Sequence, residues 1–185
     1  MQYKAVIIGG SAGSFQVVTK ILASLPRDYN IPIFLCLHRL KHIRSGFVEA
    51  LSIKSQLPII EPSDKEHIRP GKIYLAPANY HMYIELGNNI ALSTEEAVNH
   101  SRPSIDLSFF SAAYAYKNKL IGIILSGANK DGALGLKSVK DSGGIAIVQD
   151  PDECQVKTMV MASLNSTKAN HVFSTDQIIN YLKKL

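Results

Sequence analysis

Residues 5–15 read Ala-Val-Ile-Ile-Gly-Gly-Ser-Ala-Gly-Ser-Phe, an apolar run that breaks abruptly into glycines around one serine. The run does not alternate with polar residues, so the strand it forms has to be covered on both faces. The spacing Gly9-x-Ser11-x-Gly13 fits a nucleophile elbow, a sharp strand-to-helix turn that lifts a serine hydroxyl to the edge of a sheet. Glycines flank the serine because the turn needs unusual backbone angles and no side chains in the way. The helix that follows aims free N–H groups at any oxyanion formed beside Ser11. A strand followed by Gly-Gly-x-x-Gly also opens nucleotide-binding βα units, where the glycines only let a phosphate come close. The turn alone leaves acyl transfer and nucleotide binding both open.

The rest of the chain sets the architecture around it. After the strand at 4–8, a helix at 14–25 carries Phe15, Val18, Ile21, Leu22 and Leu25 at helical spacing and stops before Pro26. A second buried strand at 31–37 ends at His38, and a helix at 43–55 leads to a short strand at 59–61. This βαβαβ order implies a parallel sheet with right-handed crossovers. Between Pro70 and Ser93 three short strands, 72–76, 81–85 and 90–93, surround the turn Gly87-Asn88-Asn89 and read as a small antiparallel hairpin extension. Alternation resumes with a helix at 105–116, a strand at 120–125, a helix at 132–142 and a strand at 145–148. A last helix at 175–184 has its cap at Ser174 or Thr175. The expectation is one doubly wound α/β domain over residues 1–185, a mostly parallel sheet with helices on both faces.

Composition narrows the class. The chain has 185 residues, 46% of them hydrophobic and 19% charged, which suits one domain with a substantial core. No apolar stretch nears the roughly 20 residues needed to span a bilayer, so membrane insertion is not expected. Met1 runs into a strand with no basic leader and cleavage site, and the two cysteines, Cys36 and Cys154, read as reduced thiols of a cytoplasmic protein. No His/Cys/Asp cluster has metal-ligand spacing. The net charge is +5, and the densest basic segment is His38-Arg39-Leu40-Lys41-His42-Ile43-Arg44. Nucleic acid usually needs a broader basic face with aromatics to stack, so an acidic protein partner explains this run at least as well.

In an open parallel sheet, ligands bind outside the carboxyl ends of the strands. Ser11 follows the first strand, His38 the second, and Asp131 the strand at 120–125. A serine, a histidine and a carboxylate on one sheet edge are the parts of a hydrolytic triad, recognised by geometry rather than chain order. Ser11 attacks, His38 takes its proton, and Asp131 orients the imidazole and is itself favoured by the dipole of the helix it precedes. Each has a plainer reading: His38 as a hydrogen-bonded strand end, Asp131 as the N-cap of the next helix. The order Ser…His…Asp is not that of the α/β-hydrolases. A dinucleotide site wants an acidic residue ending the second strand, where this chain has His38-Arg39.

Several motifs in order make a resemblance specific: Ile8-Gly9-Gly10-Ser11-Ala12-Gly13, His38, Pro70-Gly71-Lys72-Ile73-Tyr74-Leu75-Ala76-Pro77, His81-Met82, Arg102-Pro103-Ser104-Ile105-Asp106, Leu125 through Ala133, and Gln149 to Cys154. Over most of its length the chain resembles the catalytic domain of the chemotaxis protein-glutamate methylesterases, the CheB family. The resemblance implies hydrolysis of γ-glutamyl methyl esters on the cytoplasmic region of methyl-accepting chemoreceptors, often with deamidation of receptor glutamines, and no cofactor or metal. It implies Ser11 as nucleophile, His38 as base and Asp131 as carboxylate. Backbone N–H groups at Ala12 and Ala128 fall at oxyanion positions, and Arg102 is either a substrate-side wall or part of the start of a helix. His81 and His100 read as structural.

The departures from the family pattern are local. The usual Gly-Met-Gly-x-Asp-Gly is Gly127-Ala128-Asn129-Lys130-Asp131-Gly132, Ser14 stands where glycine is common, and Leu40-Lys41 replaces a Pro-Pro pair. The receiver domain usual in the family is not expected here. The altered loop leaves a second reading, a catalytically weak relative that binds a protein partner.

By the same resemblance, receptor bundles carry their methylation sites among Glu and Gln, so the docking surface is acidic, and Arg39, Lys41 and Arg44 lie within six residues of the proposed base. Rim charges speed encounter and are screened by salt over about 8 Å. Neutralising these three residues should therefore lower kcat/KM on a receptor fragment and flatten its salt dependence, while hydrolysis of a small neutral ester stays unchanged. An equal loss on both substrates would mean the segment shapes the site itself.

Overall fold

The computed structural model describes residues 3–38 and 46–185. Strand β1 (Ala5–Gly10) is followed by α1 (Phe15–Ser24), β2 (Ile33–Leu37), α2 (Phe47–Ser52) and β3 (Ile59–Ile60). Short strands β4 (Glu66–His67), β5 (Ile73–Leu75), β6 (His81–Ile84) and β7 (Asn89–Ser93) come next. Then come α3 (Ile105–Tyr116), β8 (Leu120–Ile124), α4 (Ala133–Asp141), β9 (Ile145–Gln149), α5 (Thr158–Ser166), β10 (His171–Phe173) and α6 (Thr175–Leu182). Seven strands form one sheet in the order β10-β9-β8-β1-β2-β5-β3, and every pairing in it is parallel. A second sheet, β4-β7-β6, is antiparallel.

Continuous apolar strands work here because the sheet is covered twice. Along β1, Val6 and Ile8 face one buried cluster with Val18, Ile21 and Leu22 of α1 and Ile178 and Leu182 of α6. Ala5 and Ile7 face the other, with Phe109 and Ala112 of α3, Leu136 of α4 and Met159 of α5. Burying a side chain of this size contributes about 1.5–3 kcal/mol, which is why the sequence can spend whole strands on apolar residues. From β1 the chain builds outward through β2 on one side and later returns to add β8 on the other, so the crevice at the carboxyl end of β1 is a topological switch point.

One expected boundary is corrected. The strand at 72–76 is not part of the antiparallel extension: β5 lies between β2 and β3 in the parallel sheet, with Ile33 opposite Ile73. Ile73, Tyr74 and Leu75 are buried on both faces, whereas Tyr83 of β6 and Ala91 of β7 are not. The third strand of the small sheet is instead β4, two residues that carry no apolar signal. Besides β4, two elements escaped the sequence reading. Helix α5 starts at Lys157 with no side-chain cap, and β10 is a three-residue edge strand without a fully buried residue.

Helices α3 and α4 meet closely, and Gly135 is what allows it. A Cβ there would lie 2.5 Å from the Cβ of Phe109 and 3.1 Å from the Cα of Asp106, neither of which can swing away. Gly135→Ala should therefore cost about 1–3 kcal/mol of unfolding free energy despite the better helix propensity of alanine. Urea titration should show a lower midpoint at unchanged slope; a midpoint at or above wild type would mean that the helix pair is not tightly docked.

Candidate active site

Ser11 stands one residue beyond β1, in a turn closed by Ser14. Both the N–H and the hydroxyl of Ser14 donate to the Ser11 carbonyl, at 3.0 and 2.7 Å. The turn needs Gly13 at φ +82°, where a Cβ would also lie 2.8 Å from Ser126 Oγ. The polypeptide after β8 clamps the same turn. Ser11 N–H donates to the Ser126 carbonyl (2.9 Å), and Ser126 Oγ donates to the Ala12 carbonyl (2.8 Å). Ser126 N–H is in turn held by the fully buried Gln149 through Oε1 at 2.9 Å.

His38 follows β2 directly, and its N–H donates to the carbonyl of Gly10, the residue before Ser11, at 3.1 Å. Its ring meets Asp131 through Nε2 and Oδ2 at 2.8 Å. That pairing commits Nε2 and leaves Nδ1 for any proton exchange. Among the described residues Ser11 Oγ makes no hydrogen bond, so the structure sets Ser11 and His38 on adjacent strand ends without joining their side chains. Catalytic contacts of this kind commonly tighten only in a substrate complex.

Asp131 is fully buried, yet its carboxylate is well satisfied. Oδ2 accepts from Ile105 N–H (2.7 Å) as well as His38, while Oδ1 accepts from Ser104 Oγ (2.9 Å) and Asp106 N–H (3.1 Å). The expected placement at the start of α4 is corrected in one respect. Gly132 is the N-cap of α4, and the Asp131 carboxylate turns away to cap α3, so the dipole it feels is that of α3. Burial by itself would raise its pKa; the bonds from His38, Ile105 and Asp106, with the charge of His38, hold it below the ordinary 3.8. Asp106 returns the exchange, accepting the N–H groups of Gly132 (2.9 Å) and Gly135 (2.7 Å) at the start of α4. Its own pKa is raised, first by burial and also by the charge of Asp131, against the lowering effect of those bonds.

The remaining expected residues fall as follows. Ala12 and Ala128 are exposed on the two loops that clamp each other at Ser126, and among the described residues neither backbone N–H is hydrogen-bonded. Arg102 uses its guanidinium as a strap, with Nε and Nη2 on Asn79 Oδ1 (3.1 and 2.7 Å) and Nη1 on the carbonyls of Thr94 and Glu95 (2.6 and 2.8 Å). Pro103 precedes the Ser104 cap rather than entering the first turn of α3. His81 is buried, in keeping with a structural reading. The basic segment 39–45 lies outside the described residues. Asn129 and Lys130 both have negative φ, so the missing glycine is not needed, and Asn129 Oδ1 takes the Asp131 N–H at 3.1 Å. Sequence reasoning missed what Asp106 and Ser126 do; the one available signal was an aspartate in the first turn of an otherwise buried helix.

A doubly wound α/β domain with a serine turn and a carboxylate-bound histidine on one sheet edge defines a class, that of hydrolase-like domains built at a switch point. Comparison with known proteins narrows it. The model of the CheB methylesterase family matches residues 6–182. A crystal structure of the Thermotoga maritima CheB methylesterase catalytic domain superposes with a TM-score of 0.94 at 30% identity, covering 100% of this chain and 99% of that one. A relative from Leptospira interrogans, assigned provisionally to the same activity, is 40% identical over 100% of this chain and 96% of its own length. The protein-glutamate methylesterase/protein-glutamine glutaminase of Clostridium acetobutylicum is 30% identical over 98% of this chain and 53% of its own, so this chain spans about half the length of that relative. The chain belongs to the CheB methylesterase family.

The depressed Asp131 pKa has a sign that can be checked. The folded state keeps this carboxylate ionised to lower pH than the unfolded chain does, so its contribution is full above the unfolded value of about 3.9 and is lost as pH falls through the folded one. In urea titrations across pH, the stability difference between wild type and Asp131→Asn should shrink as pH falls below about 4. A difference that persists unchanged into that acid range would show that the carboxylate is not held below its ordinary value.

Proposed function

We propose that this chain is a serine hydrolase that demethylates, and in places deamidates, glutamyl side chains in the cytoplasmic region of methyl-accepting chemoreceptors. The observation that carries this reading is the His38–Asp131 pair, fixed on the N-terminus of α3 and placed at the strand end next to Ser11. Family membership supplies the reaction class, and the Clostridium acetobutylicum relative, a methylesterase and glutaminase by name, supplies the two substrates, ester and amide.

The chemistry follows from the groups present. Ser11 Oγ attacks the γ-carbonyl of the methyl ester while His38 Nδ1 takes its proton, and Asp131 stabilises the resulting imidazolium. The N–H groups of Ala12 and Ala128, without a hydrogen-bond partner among the described residues, take the oxyanion. Collapse expels methoxide, which leaves as methanol with the proton from His38, and the glutamyl group stays as an ester on Ser11. Water, deprotonated by His38, attacks that ester; glutamate and free Ser11 result. An amide follows the same course and loses ammonia. Arg102 builds the wall of the cleft, holding Asn79 to the segment that leads to α3. The intact geometry of the altered 127–130 loop favours this reading over a binding-only relative.

Ser11→Ala should fold normally and lose roughly four or more orders of magnitude in methanol release from a methylated receptor fragment. A serine-directed phosphonate should label the wild type on the peptide containing Ser11 and leave the variant unlabelled. Retention of more than a few per cent of activity in the variant would remove Ser11 as the nucleophile.

A further inference from the structure

His81 opens β6 and is completely buried, though an imidazole there is an expensive way to fill space. Both of its nitrogens are engaged. Nε2 lies 3.0 Å from the carbonyl of Glu96, which can only accept, so Nε2 carries the proton. Nδ1 is therefore the acceptor, and it takes the backbone N–H of Ser104 at 3.1 Å. The ring is a neutral imidazole of one tautomer, clamped between two main-chain groups.

Ser104 is the residue on which Asp131 depends. Its hydroxyl donates to Asp131 Oδ1 at 2.9 Å and accepts from Leu107 N–H, capping α3. The next two N–H groups of the same turn, Ile105 and Asp106, complete the grip on the carboxylate. We propose that His81 is a positioning residue for the His38–Asp131 pair: by holding the Ser104 backbone it aims the Ser104 hydroxyl and the first turn of α3 at Asp131, and so sets how much negative charge Asp131 presents to His38. The path runs Glu96 carbonyl, His81, Ser104, Asp131, His38. It rests on the triad reading above.

The consequence differs from that of a core filler. If the Ser104 hydroxyl is lost or misdirected, Asp131 is less neutralised and attracts a proton on His38 more strongly, so the base is protonated to higher pH. Among the described residues Asp106 also faces the pair, from α3, and it is not altered by changing His81. Among the described residues His81 hydrogen-bonds to neither His38 nor Ser11.

Two isosteric replacements separate the roles. An asparagine Oδ1 stands where Nδ1 stood and can still accept the Ser104 N–H; a glutamine Nε2 stands where Nε2 stood and serves only the Glu96 carbonyl. Methanol release from a methylated receptor fragment should be measured from about pH 5 to 9 for wild type, His81→Asn, His81→Gln and Ser104→Ala, with Ser11→Ala alongside. The expectation is that His81→Gln and Ser104→Ala lose about 10- to 100-fold in kcat/KM at neutral pH, with the pH midpoint moved up, while His81→Asn stays near wild type in both. Equal losses in the two His81 variants at an unmoved midpoint would make His81 a structural filler and overturn the proposal. Should His81→Gln fail to fold, Ser104→Ala decides alone, since it removes only a hydroxyl: an unmoved midpoint overturns the proposal. Activity surviving in Ser11→Ala would instead overturn the triad reading, a separate failure.

Discussion

Two buried aspartates that cap each other's helices hold this site together. Asp131, just ahead of α4, accepts the first N–H groups of α3; Asp106, in the first turn of α3, accepts the first N–H groups of α4. An unpaired carboxylate would be too costly in so dry a place, and the crossed arrangement gives each one backbone donors that the helices had to satisfy anyway. Hydrogen bonds to a charged group contribute about 1.5–3 kcal/mol each, enough to offset burial for Asp131, which also has His38. For Asp106 burial outweighs the bonds, and its neighbour's charge adds to it, so its pKa is raised. The exchange locks α3 against α4, and Gly135 lets it close.

The same few residues connect this lock to Ser11. Two residues beyond β8 stands Ser126, whose carbonyl and hydroxyl fix the backbone at Ser11 and Ala12; five residues on, the chain reaches Asp131, which holds the histidine. One loop therefore carries both halves of the site, with Ala128 between them. Its altered sequence is tolerable because what it supplies is main-chain geometry. Asn129 replaces a glycine without needing positive φ and adds a side-chain acceptor for the Asp131 N–H. Ser14, another departure, turns its hydroxyl onto the Ser11 carbonyl and tightens the turn.

Parts of this were legible in the sequence for identifiable reasons. Strands β1, β2, β8 and β9 announce themselves because a sheet covered on both faces demands unbroken apolar runs. Ser11, His38 and Asp131 could be named because each directly or soon follows such a strand, and the switch point gathers strand ends. Strand β5 was assigned to the wrong sheet because three residues between turns say nothing about their partner, and α5 lacked a start signal. The helix that Asp131 caps was misassigned because the contact from 131 to 104–106 is tertiary, and local pattern favoured the helix next in sequence. Arg102 read as either a substrate-side wall or the start of a helix; its bonds to Asn79 and two carbonyls are visible only once the chain has folded.

The sheet itself explains which histidine nitrogen does what. Parallel neighbours lie about 4.8 Å apart, and Gly10 sits opposite Leu37, so Ser11 and His38 leave their strands side by side. The His38 N–H to Gly10 carbonyl bond extends that pairing to the very residue before Ser11. A partner this close to the histidine backbone is reached by Nδ1, the ring nitrogen nearer to Cβ. Asp131 arrives from farther out, across β1 from β8, and meets Nε2, the distal nitrogen. In the proposed reaction the proton thus moves between Ser11 Oγ and Nδ1 while Nε2–H stays on Asp131. Chain order Ser…His…Asp and this ring orientation are two expressions of one fact, the adjacency of β1 and β2.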